Sequence, residues 1–559
     1  MASGSLLSGH HTNDDLHPAM AARMVHGVYH RLSPAASIPG LYLLDTVMAT
    51  SSERGFFGHP RPLGPLFFTE MWERFSFYGI RPLLVLYMAA ALADGGLGIP
   101  RDTAAAIVGI FGGMIYLSTL PGGWLADNWL GQRRAVWYGS ILIALGHLSI
   151  ALSALWGTPM FYIGLILLVL GSGIFKTCIS VMVGTLYEEG DARRDGGFSI
   201  FYMGINLGGL IAPLVTGFAM ENIGWHWGFG AGGLGMLIAL IIFRLTAIPA
   251  MKRFDREHGR ESNWDAPVNQ RRHVGTGVTI CLLLVALITA LGLAGVITFN
   301  PVAIATAMSY VVGLCVLGWF IYLMFFNGLN RHEQARVIVC LILFMAAALF
   351  WASFEQQPTS YNLFASDYTN RQVMGFEIPV LWFQSLNPLF IILLAPLFGW
   401  LWPAMARRGF EPSSVAKFGA GLVFAAAGFG LMVMAAWQVV DGAGLVSPLW
   451  IVASLLLLTL GELCLSPVGL STMTELAPMS MRGQIMGIWF AASALGNLVA
   501  GLIGGHVSPE HVNQLPELFG RCALALLIGA VILMILIKPI RRLLAHSRPA
   551  ESGTSETPQ

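Results

Sequence analysis

Charged side chains are scarce in this chain of 559 residues. Asp, Glu, Lys and Arg make up 11% of the sequence, whereas hydrophobic residues make up 55%. Ordinary soluble domains are about one quarter charged, so this composition excludes a soluble enzyme. The net charge of +1 gives no basis for nucleic acid as a partner. The few charges that remain must therefore be judged by their positions rather than by their sum.

Cysteine is scarce as well, and its placement argues against a disulfide framework. All six cysteines lie inside or at the edge of apolar runs, which favours buried structural thiols. They are Cys178, Cys281, Cys315, Cys340, Cys464 and Cys522. The His332-Glu333 dipeptide lacks the second histidine of a zinc-binding helix, which argues against a membrane-embedded metalloenzyme. We predict no enzymatic activity, no metal and no other cofactor.

Long apolar runs dominate the sequence. Runs of roughly twenty residues, each sufficient to cross a hydrocarbon layer about 30 Å thick, recur along almost the whole length after Pro65. They predict an all-α polytopic membrane protein with fourteen spans, arranged as six, two and six. The predicted spans are 65–93, 104–126, 135–155, 160–187, 197–220, 227–243, 278–299, 302–326, 337–356, 380–402, 418–437, 448–470, 483–503 and 522–537.

This arrangement divides the chain into five segments. They are a disordered N-terminal extension (1–60), an N-terminal six-helix bundle (61–248), a basic cytoplasmic linker with an inserted helical hairpin (249–333), a C-terminal six-helix bundle (334–545) and a disordered tail (546–559). The extension lacks the apolar core and cleavage site of a signal peptide. Met48 precedes a short hydrophilic leader to the first span, so we expect translation to begin there. A nutrient-sensing receptor would need a signalling domain, which we do not expect in either terminus.

Lys and Arg are distributed unequally between the two sides of the predicted membrane. With both termini in the cytoplasm, the outer loops hold only Arg101, Arg371 and Arg521. The remaining loop cations then lie inside. Cytoplasmic loops retain positive charge during insertion, and an even number of spans agrees with this placement. We therefore predict that both termini are cytoplasmic.

Seven ionisable residues lie within the predicted spans. Such residues are costly in a membrane unless they face a cavity and find a partner, so each is a functional candidate. Four acids and three bases nearly balance, as mutual pairing at low dielectric requires. The residues are Glu70, Glu73, Arg74, Arg81, Lys176, Glu355 and Glu462.

The charges of the first span share one helix face. At about 100° per residue, Glu70, Glu73, Arg74 and Arg81 fall together with Tyr78. The alternative is a set of ion pairs that only stabilises the helix.

Four other polar positions are also functional candidates, and three of them have alternative interpretations. Lys176 lies too far from the ends of its apolar run to reach water, so we expect it to need an anion. Glu355 lies nearer a membrane face, where a merely interfacial role is the alternative. For Asn206 and Asn387 the alternative is buried interhelical hydrogen bonding.

Several motifs resemble those of one transporter family. The segment Glu70-Met-Trp-Glu73-Arg74-Phe75 looks like the ExxERF signature of the proton-dependent oligopeptide transporter family. Residues 198–209 look like its second signature, and residues 123–134 resemble the loop motif of the major facilitator superfamily that contains it. The similarity covers roughly residues 58–544, and the hairpin resembles that of bacterial members. The resemblance implies a major facilitator fold and a monomeric symporter that imports di- and tripeptides with protons, by alternating access, across a bacterial inner membrane.

The resemblance also implies a substrate site. Glu462 would bind the peptide amino group, while Arg74 and Lys176 would bind its carboxylate. The remaining substrate-binding residues would be Tyr78, Tyr116, Asn206, Trp351, Asn387 and Trp489.

Proton coupling is implied at an overlapping set of residues. They would be Glu70, Glu73, Arg74, Arg81, Lys176 and Glu355. In relatives, the residue equivalent to Arg81 pairs with the residue equivalent to Glu355 near the outer gate. The matching lysine approaches the equivalent of Glu462 when the cavity is empty.

The chain departs from the family pattern at three positions. Phe77 stands where many relatives have a second tyrosine, so one hydroxyl contact to the ligand is expected to be missing. Thr177 and Cys178 follow the lysine where Pro and Asn are usual. The alternative function is a facilitator for another small solute, such as an amino acid, nitrate or a drug. A lone anion such as nitrate has no amino group for Glu462, which favours peptides.

Overall fold

The computed structural model describes residues 55–188, 190–259, 264, 266–269, 271, 273–477 and 482–546. Of the described residues, 55–58 belong to one unit, and the helices below belong to a second unit that begins at His59. The predictions of a disordered extension, of a start at Met48 and of a disordered tail fall almost entirely outside the described residues.

Six long helices form the first bundle. They are α1 (Leu63–Ala89), α2 (Arg101–Leu125), α3 (Gln132–Trp156), α4 (Thr158–Gly184), α5 (Arg194–Asn222) and α6 (Trp225–Ile242). α1 packs against α5 and α6, and α4 packs against α2 and α3. Gly157, at φ +80°, makes the tight connection between α3 and α4 because glycine adopts this conformation without a steric cost. α4 continues unbroken past Thr177 and Cys178.

A short helix and a hairpin follow the first bundle. They are α7 (Ile248–Glu257), α8 (His273–Leu293) and α9 (Pro301–Phe326). The Asn300 side chain accepts a hydrogen bond from the Ala303 backbone N–H at 3.1 Å, and Pro301 occupies the first helical position. α8 ends at Leu293, so residues 294–300 connect the two helices, and the span predicted over 278–299 ends earlier than expected.

The second bundle contains six long helices, one short helix and a small β-hairpin. The helices are α10 (Arg331–Phe354), α11 (Asn362–Tyr368), α12 (Leu386–Arg407), α13 (Ser414–Gln438), α14 (Leu449–Leu476), α15 (Arg482–Gly504) and α16 (Leu515–His546). β1 (Gln372–Val373) pairs antiparallel with β2 (Phe376–Glu377) between α11 and α12. Asn330 and Glu333 form a capping box that begins α10. α13 packs against α14 and α16, and α10 packs against α15.

The number of spans agrees with the prediction. Within the described residues, thirteen helical segments are long and apolar enough to cross a membrane. α1 is a further helix of 27 residues, whose Glu70, Glu73, Arg74 and Arg81 lower its apolar character. The all-α polytopic fold, with six, two and six spans, is confirmed.

Some predicted boundaries were wrong. α6 continues through one wide turn, Phe243–Ala247, into α7, so the span predicted to end at residue 243 extends as helix into the predicted linker. α7 is amphipathic and buries Ile248, Met251 and Phe254. α10 ends at Phe354, and a turn at Glu355 and Gln356 leads through Gln357–Tyr361 into α11.

The two bundles meet along α2 and α15. A Cβ atom on Gly109 would lie 2.8 Å from the Cα of Gly501, so only glycine allows this approach of the two helices. α5 also contacts α12 across the same seam. The seam brings side chains of both bundles around a shared interior.

The connection between the bundles is attached to the first bundle and to the seam. The Arg133 backbone N–H donates to the Trp264 carbonyl at 3.0 Å, and the Asn269 N–H donates to the Asp127 carbonyl at 2.9 Å. The Trp264 indole donates to Asp255 at 2.7 Å. α9 packs against both α2 and α15, whereas Val274 is the one buried residue described in α8.

Candidate functional site

A cavity of about 330 Å³ lies between the two bundles. α1, α2 and α5 line it from the first bundle, and α10, α12, α14 and α15 line it from the second. This volume falls within the range of roughly 300–1,000 Å³ that is usual for small-molecule sites. The predicted site residues that line it are Tyr78, Arg81, Tyr116, Asn206, Trp351, Glu355, Asn387, Glu462 and Trp489.

Arg81, Glu355 and Asn497 form what we call the outer group. Arg81 Nη2 lies 2.5 Å from Glu355 Oε2 and 2.7 Å from Asn497 Oδ1. All three residues are buried. A charge left unpaired in such a place is costly, so the contact stabilises the bundles against each other. The pairing of Arg81 with Glu355 implied by the family resemblance is present in the structure.

Glu70, Glu73 and Arg74 form what we call the inner group. Arg74 Nε lies 2.6 Å from Glu70 Oε1 and 3.0 Å from Glu73 Oε2, all within α1. The three side chains are buried, and they are not among the residues lining the cavity. Glu70 Oε2 and Glu73 Oε1 are buried without a hydrogen-bond partner in the described part of the chain. Because one cation is shared by two acids, the inner group has a net charge of −1 when both acids are ionised. A single bound proton would neutralise it.

Glu462 faces the cavity with a neutral partner. Its carboxylate accepts a hydrogen bond from Asn387 Nδ2 at 2.9 Å, and the same amide donates to Thr459 Oγ1 at 3.0 Å. Glu462 is 9% exposed, and within the described ranges it forms no ion pair. Lys176 is not among the hydrogen-bond or ion-pair partners of this acid in the described ranges, and its expected approach stays a prediction. A carboxylate in this state can accept a charged amino group.

Lys176 lies over aromatic rings. Its Nζ is 4.3 Å from the ring centroid of Phe77 and 5.4 Å from that of Tyr116. Among the residues that the structure describes, no carboxylate oxygen lies within 4 Å of this amine, so the anion expected for it is not in contact. The negative face of an aromatic ring attracts a cation and takes the place of an acid here. The Arg81 guanidinium carbon lies 5.8 Å from the same Phe77 ring.

The two asparagines behave differently. Asn206 lines the cavity, and its amide donates to the Tyr202 carbonyl of its own helix at 3.0 Å. Asn387 makes the interhelical hydrogen bonds that were the alternative interpretation, and it also lines the cavity.

Sequence reasoning missed several neutral residues of the site. Besides Asn497, they are Tyr202, Phe354, Gln357, Gln384, Phe490 and Ser493. Because these side chains are uncharged and lie within apolar runs, the pattern of charged residues does not identify them. Tyr202 lies inside the second signature, which could have identified it.

Further ion pairs join the bundles on the predicted outer side. Arg101 at the start of α2 pairs with Asp367 of α11. Arg371, before β1, lies 3.0 Å from Glu221 at the end of α5 and 2.6 Å from Glu377. Two of the three predicted outer-loop cations therefore link the two bundles.

Comparison with known proteins agrees with this architecture. The PTR2 model of the POT family matches residues 133–516. The chain is 62% identical over 511 residues to the peptide transporter YePEPT of Yersinia enterocolitica subsp. palearctica, covering 91% of this chain and 100% of that relative. It is 37% identical over 510 residues to a di-/tripeptide transporter of Lactococcus lactis subsp. cremoris, and the match covers 89% of this chain and 99% of that relative.

Solved structures with similar folds include two transporters with bound molecules. A peptide transporter POT in complex with sulfate superposes with a TM-score of 0.79 at 37% identity, covering 88% of this chain and 97% of that one. A POT family transporter in complex with a thioalcohol-conjugated peptide superposes with a TM-score of 0.78 at 31% identity, and the match covers 87% of this chain and 98% of that one.

Proposed function

Because the chain belongs to the POT family, we propose that it is a symporter that imports di- and tripeptides together with protons by alternating access. The observation that carries this proposal is the cavity between the bundles, where the Glu462 carboxylate and the Arg81 guanidinium line one volume. A zwitterionic peptide brings one charge of each sign into such a site. We propose further that the protein acts as a monomer in a bacterial inner membrane, with both termini cytoplasmic and no catalytic step or cofactor.

In this proposal the peptide amino group binds Glu462, which has only the Asn387 amide as a hydrogen-bond partner in the described structure. Asn206 and Asn387 contact the peptide backbone, and aromatic side chains form the walls of the cavity. These aromatic residues are Tyr78, Tyr116, Trp351 and Trp489.

The peptide carboxylate is the proposed partner of Lys176 and Arg74, although neither lines the cavity in this conformation. Lys176 rests on the ring of Tyr116, which does line it. A cation–π contact is worth about 0.5–2 kcal/mol, whereas a charge-assisted hydrogen bond in a dry site is worth about 1.5–3. A bound carboxylate would therefore draw the amine toward the cavity.

Proton coupling follows from the imbalance of the inner group. When peptide binding draws Arg74 or Lys176 away from Glu70 and Glu73, these buried acids lose cationic surroundings and favour the protonated form. Glu355 would do the same on separation from Arg81, as the bundles rock.

The proton gradient supplies enough free energy for accumulation. One proton moving down about 100 mV gains roughly 2.3 kcal/mol, and one pH unit adds about 1.4. Since each 1.4 kcal/mol is a factor of ten, tight coupling would support several-hundred-fold accumulation of peptide.

Uptake into liposomes tests the proposal directly. Purified protein would be reconstituted and labelled di-, tri- and tetrapeptides offered with and without an imposed inward proton gradient. We expect gradient-dependent accumulation of di- and tripeptides only. Unlabelled free amino acids and nitrate serve as competitors, and uptake inhibited by them but not by dipeptides would refute the proposal.

A further inference from the structure

Two adjacent glutamines after α10 have opposite surroundings. Gln356 is fully buried, and its Nε2 donates to the Ala352 carbonyl at 3.2 Å and contacts Cys522 Sγ at 3.4 Å. Its Oε1 accepts a hydrogen bond from the Ser360 hydroxyl at 2.9 Å. The Gln356 amide is thus satisfied inside the second bundle, where it holds α10, the following turn and α16 together.

Gln357 lines the cavity instead. It is 6% exposed, and its Nε2 is buried without a hydrogen-bond partner in the described part of the chain. Its backbone is fixed, because Gln384 Nε2 donates to the Gln357 carbonyl at 2.8 Å. Buried amide donors are nearly always paired in native proteins, so one that is held unpaired at a cavity wall calls for an acceptor.

Two more donors of the cavity wall are in the same state. Arg81 Nε and Trp351 Nε1 are buried and lack hydrogen-bond partners. Among the described residues that line the cavity, the buried side-chain atoms without a partner are these two and Gln357 Nε2. All three are donors. These unpaired donors suit an oxygen acceptor of the ligand, whereas the Glu462 carboxylate of the same cavity suits its ammonium group.

We propose that Gln357 is a specificity-determining residue whose Nε2 donates a hydrogen bond to an oxygen of the bound peptide. The inference rests on the proposed function, since it assigns a contact within the same cavity. The acceptor is the peptide-bond carbonyl or the terminal carboxylate, which share this chemistry. Ligands that lack the acceptor leave Gln357 unpaired and bind more weakly for that reason.

The neighbouring glutamine provides a matched control. Affinity for Ala-Ala and Ala-Ala-Ala would be measured by calorimetry on purified wild type, Gln357→Leu and Gln356→Leu, together with the midpoint of thermal unfolding. We expect Gln357→Leu to weaken binding about five- to tenfold without lowering the midpoint, because only an unmade hydrogen bond is removed from the empty protein. Gln356→Leu should lower the midpoint and leave the affinity within about twofold.

Two analogues of Ala-Ala locate the acceptor. One has a reduced CH₂–NH link in place of the peptide carbonyl, and the other is alanine ethylamide, which lacks the C-terminal carboxylate. Wild type should lose affinity for the analogue that lacks the acceptor, and Gln357→Leu should lose little more with that analogue. If the effects of one analogue and of Gln357→Leu are not additive, the contact is supported, and the oxygen missing from that analogue is identified as the acceptor.

Two results would overturn the inference: unchanged peptide affinity in Gln357→Leu, or full additivity of its effect with both analogues. Wild-type protein that neither binds nor accumulates any of these peptides would instead overturn the proposed function. The two failures are therefore distinct.

Discussion

The inner and outer groups both depend on α1, yet they are built on different principles. In the inner group, Glu70, Glu73 and Arg74 belong to one helix, so their contacts do not depend on the arrangement of the bundles. In the outer group, Arg81 meets Glu355 at a separation of 274 positions along the chain, across the seam. The first arrangement does not require contact between the bundles and is broken only when a ligand draws Arg74 away, whereas the second exists only while the bundles touch.

Removing the cation of the inner group should have the largest effect. Arg74→Ala leaves two buried carboxylates without their partner, and breaking a buried pair in this way costs about 3–5 kcal/mol. We expect proton-driven uptake to be lost and the thermal midpoint to fall more than in any variant below. Arg74→Lys, which keeps the charge, should be intermediate in both measurements. Full uptake by Arg74→Ala would show that the inner group does not hold the coupling charge.

Lys176 is the next position, because its amine lies over the same Phe77 ring that faces Arg81 of the outer group. Lys176→Ala should abolish pH-driven accumulation while peptide exchange remains measurable, since the cavity walls are intact. The readout is counterflow of labelled dipeptide compared with uptake under a proton gradient. Undiminished accumulation would remove this residue from the coupling mechanism.

The outer group should show a smaller effect that depends on conformation. A double-mutant cycle of Arg81→Ala and Glu355→Ala should give a coupling energy of about 1–3 kcal/mol in the unfolding free energy. Arg81→Ala should also increase labelling, by an impermeant maleimide added from outside, of a Ser493→Cys reporter in the cavity. The same increase in Arg74→Ala would break the distinction between the two groups.

The smallest effect is expected at Phe77. Phe77→Leu keeps apolar volume but removes the aromatic face that holds Lys176, a contact worth about 0.5–2 kcal/mol. Freed from this contact, the amine is more available to a ligand carboxylate, so the affinity for Ala-Ala should rise severalfold. Phe77→Tyr keeps the aromatic face and adds the hydroxyl that many relatives have at this position, so its affinity should not fall below that of wild type. The C-terminal amide of Ala-Ala should be insensitive to both substitutions, and weaker dipeptide binding in Phe77→Leu would argue against the aromatic contact as a restraint.

The sequence predicts best what local geometry determines. Helical periodicity places Glu70, Glu73 and Arg74 on one face of α1, and they form one cluster in the structure. Apolar length likewise predicts the thirteen spans other than α1. Both arguments use only neighbours within one helix, where the rise and twist per residue are known.

Contacts across the seam are harder to predict. The pairing of Arg81 with Glu355 was implied only by family resemblance, and the contribution of Asn497 had no signal in the sequence. The position of Lys176 over Phe77 was missed because an apolar ring carries no formal charge, although it can hold a cation. The helical start of the linker was missed because α7 buries its apolar side against the protein while its polar side suggests a loop.

The packing of α9 has a practical consequence. It contacts α2 of the first bundle and α15 of the second at once, so a relative displacement of these helices must change at least one of the two contacts. Trp319 of α9 is half-buried beside fully buried Phe320. The chain has 16 tryptophans, so the difference in fluorescence between wild type and Trp319→Phe should report this indole during the transport cycle, without an attached dye.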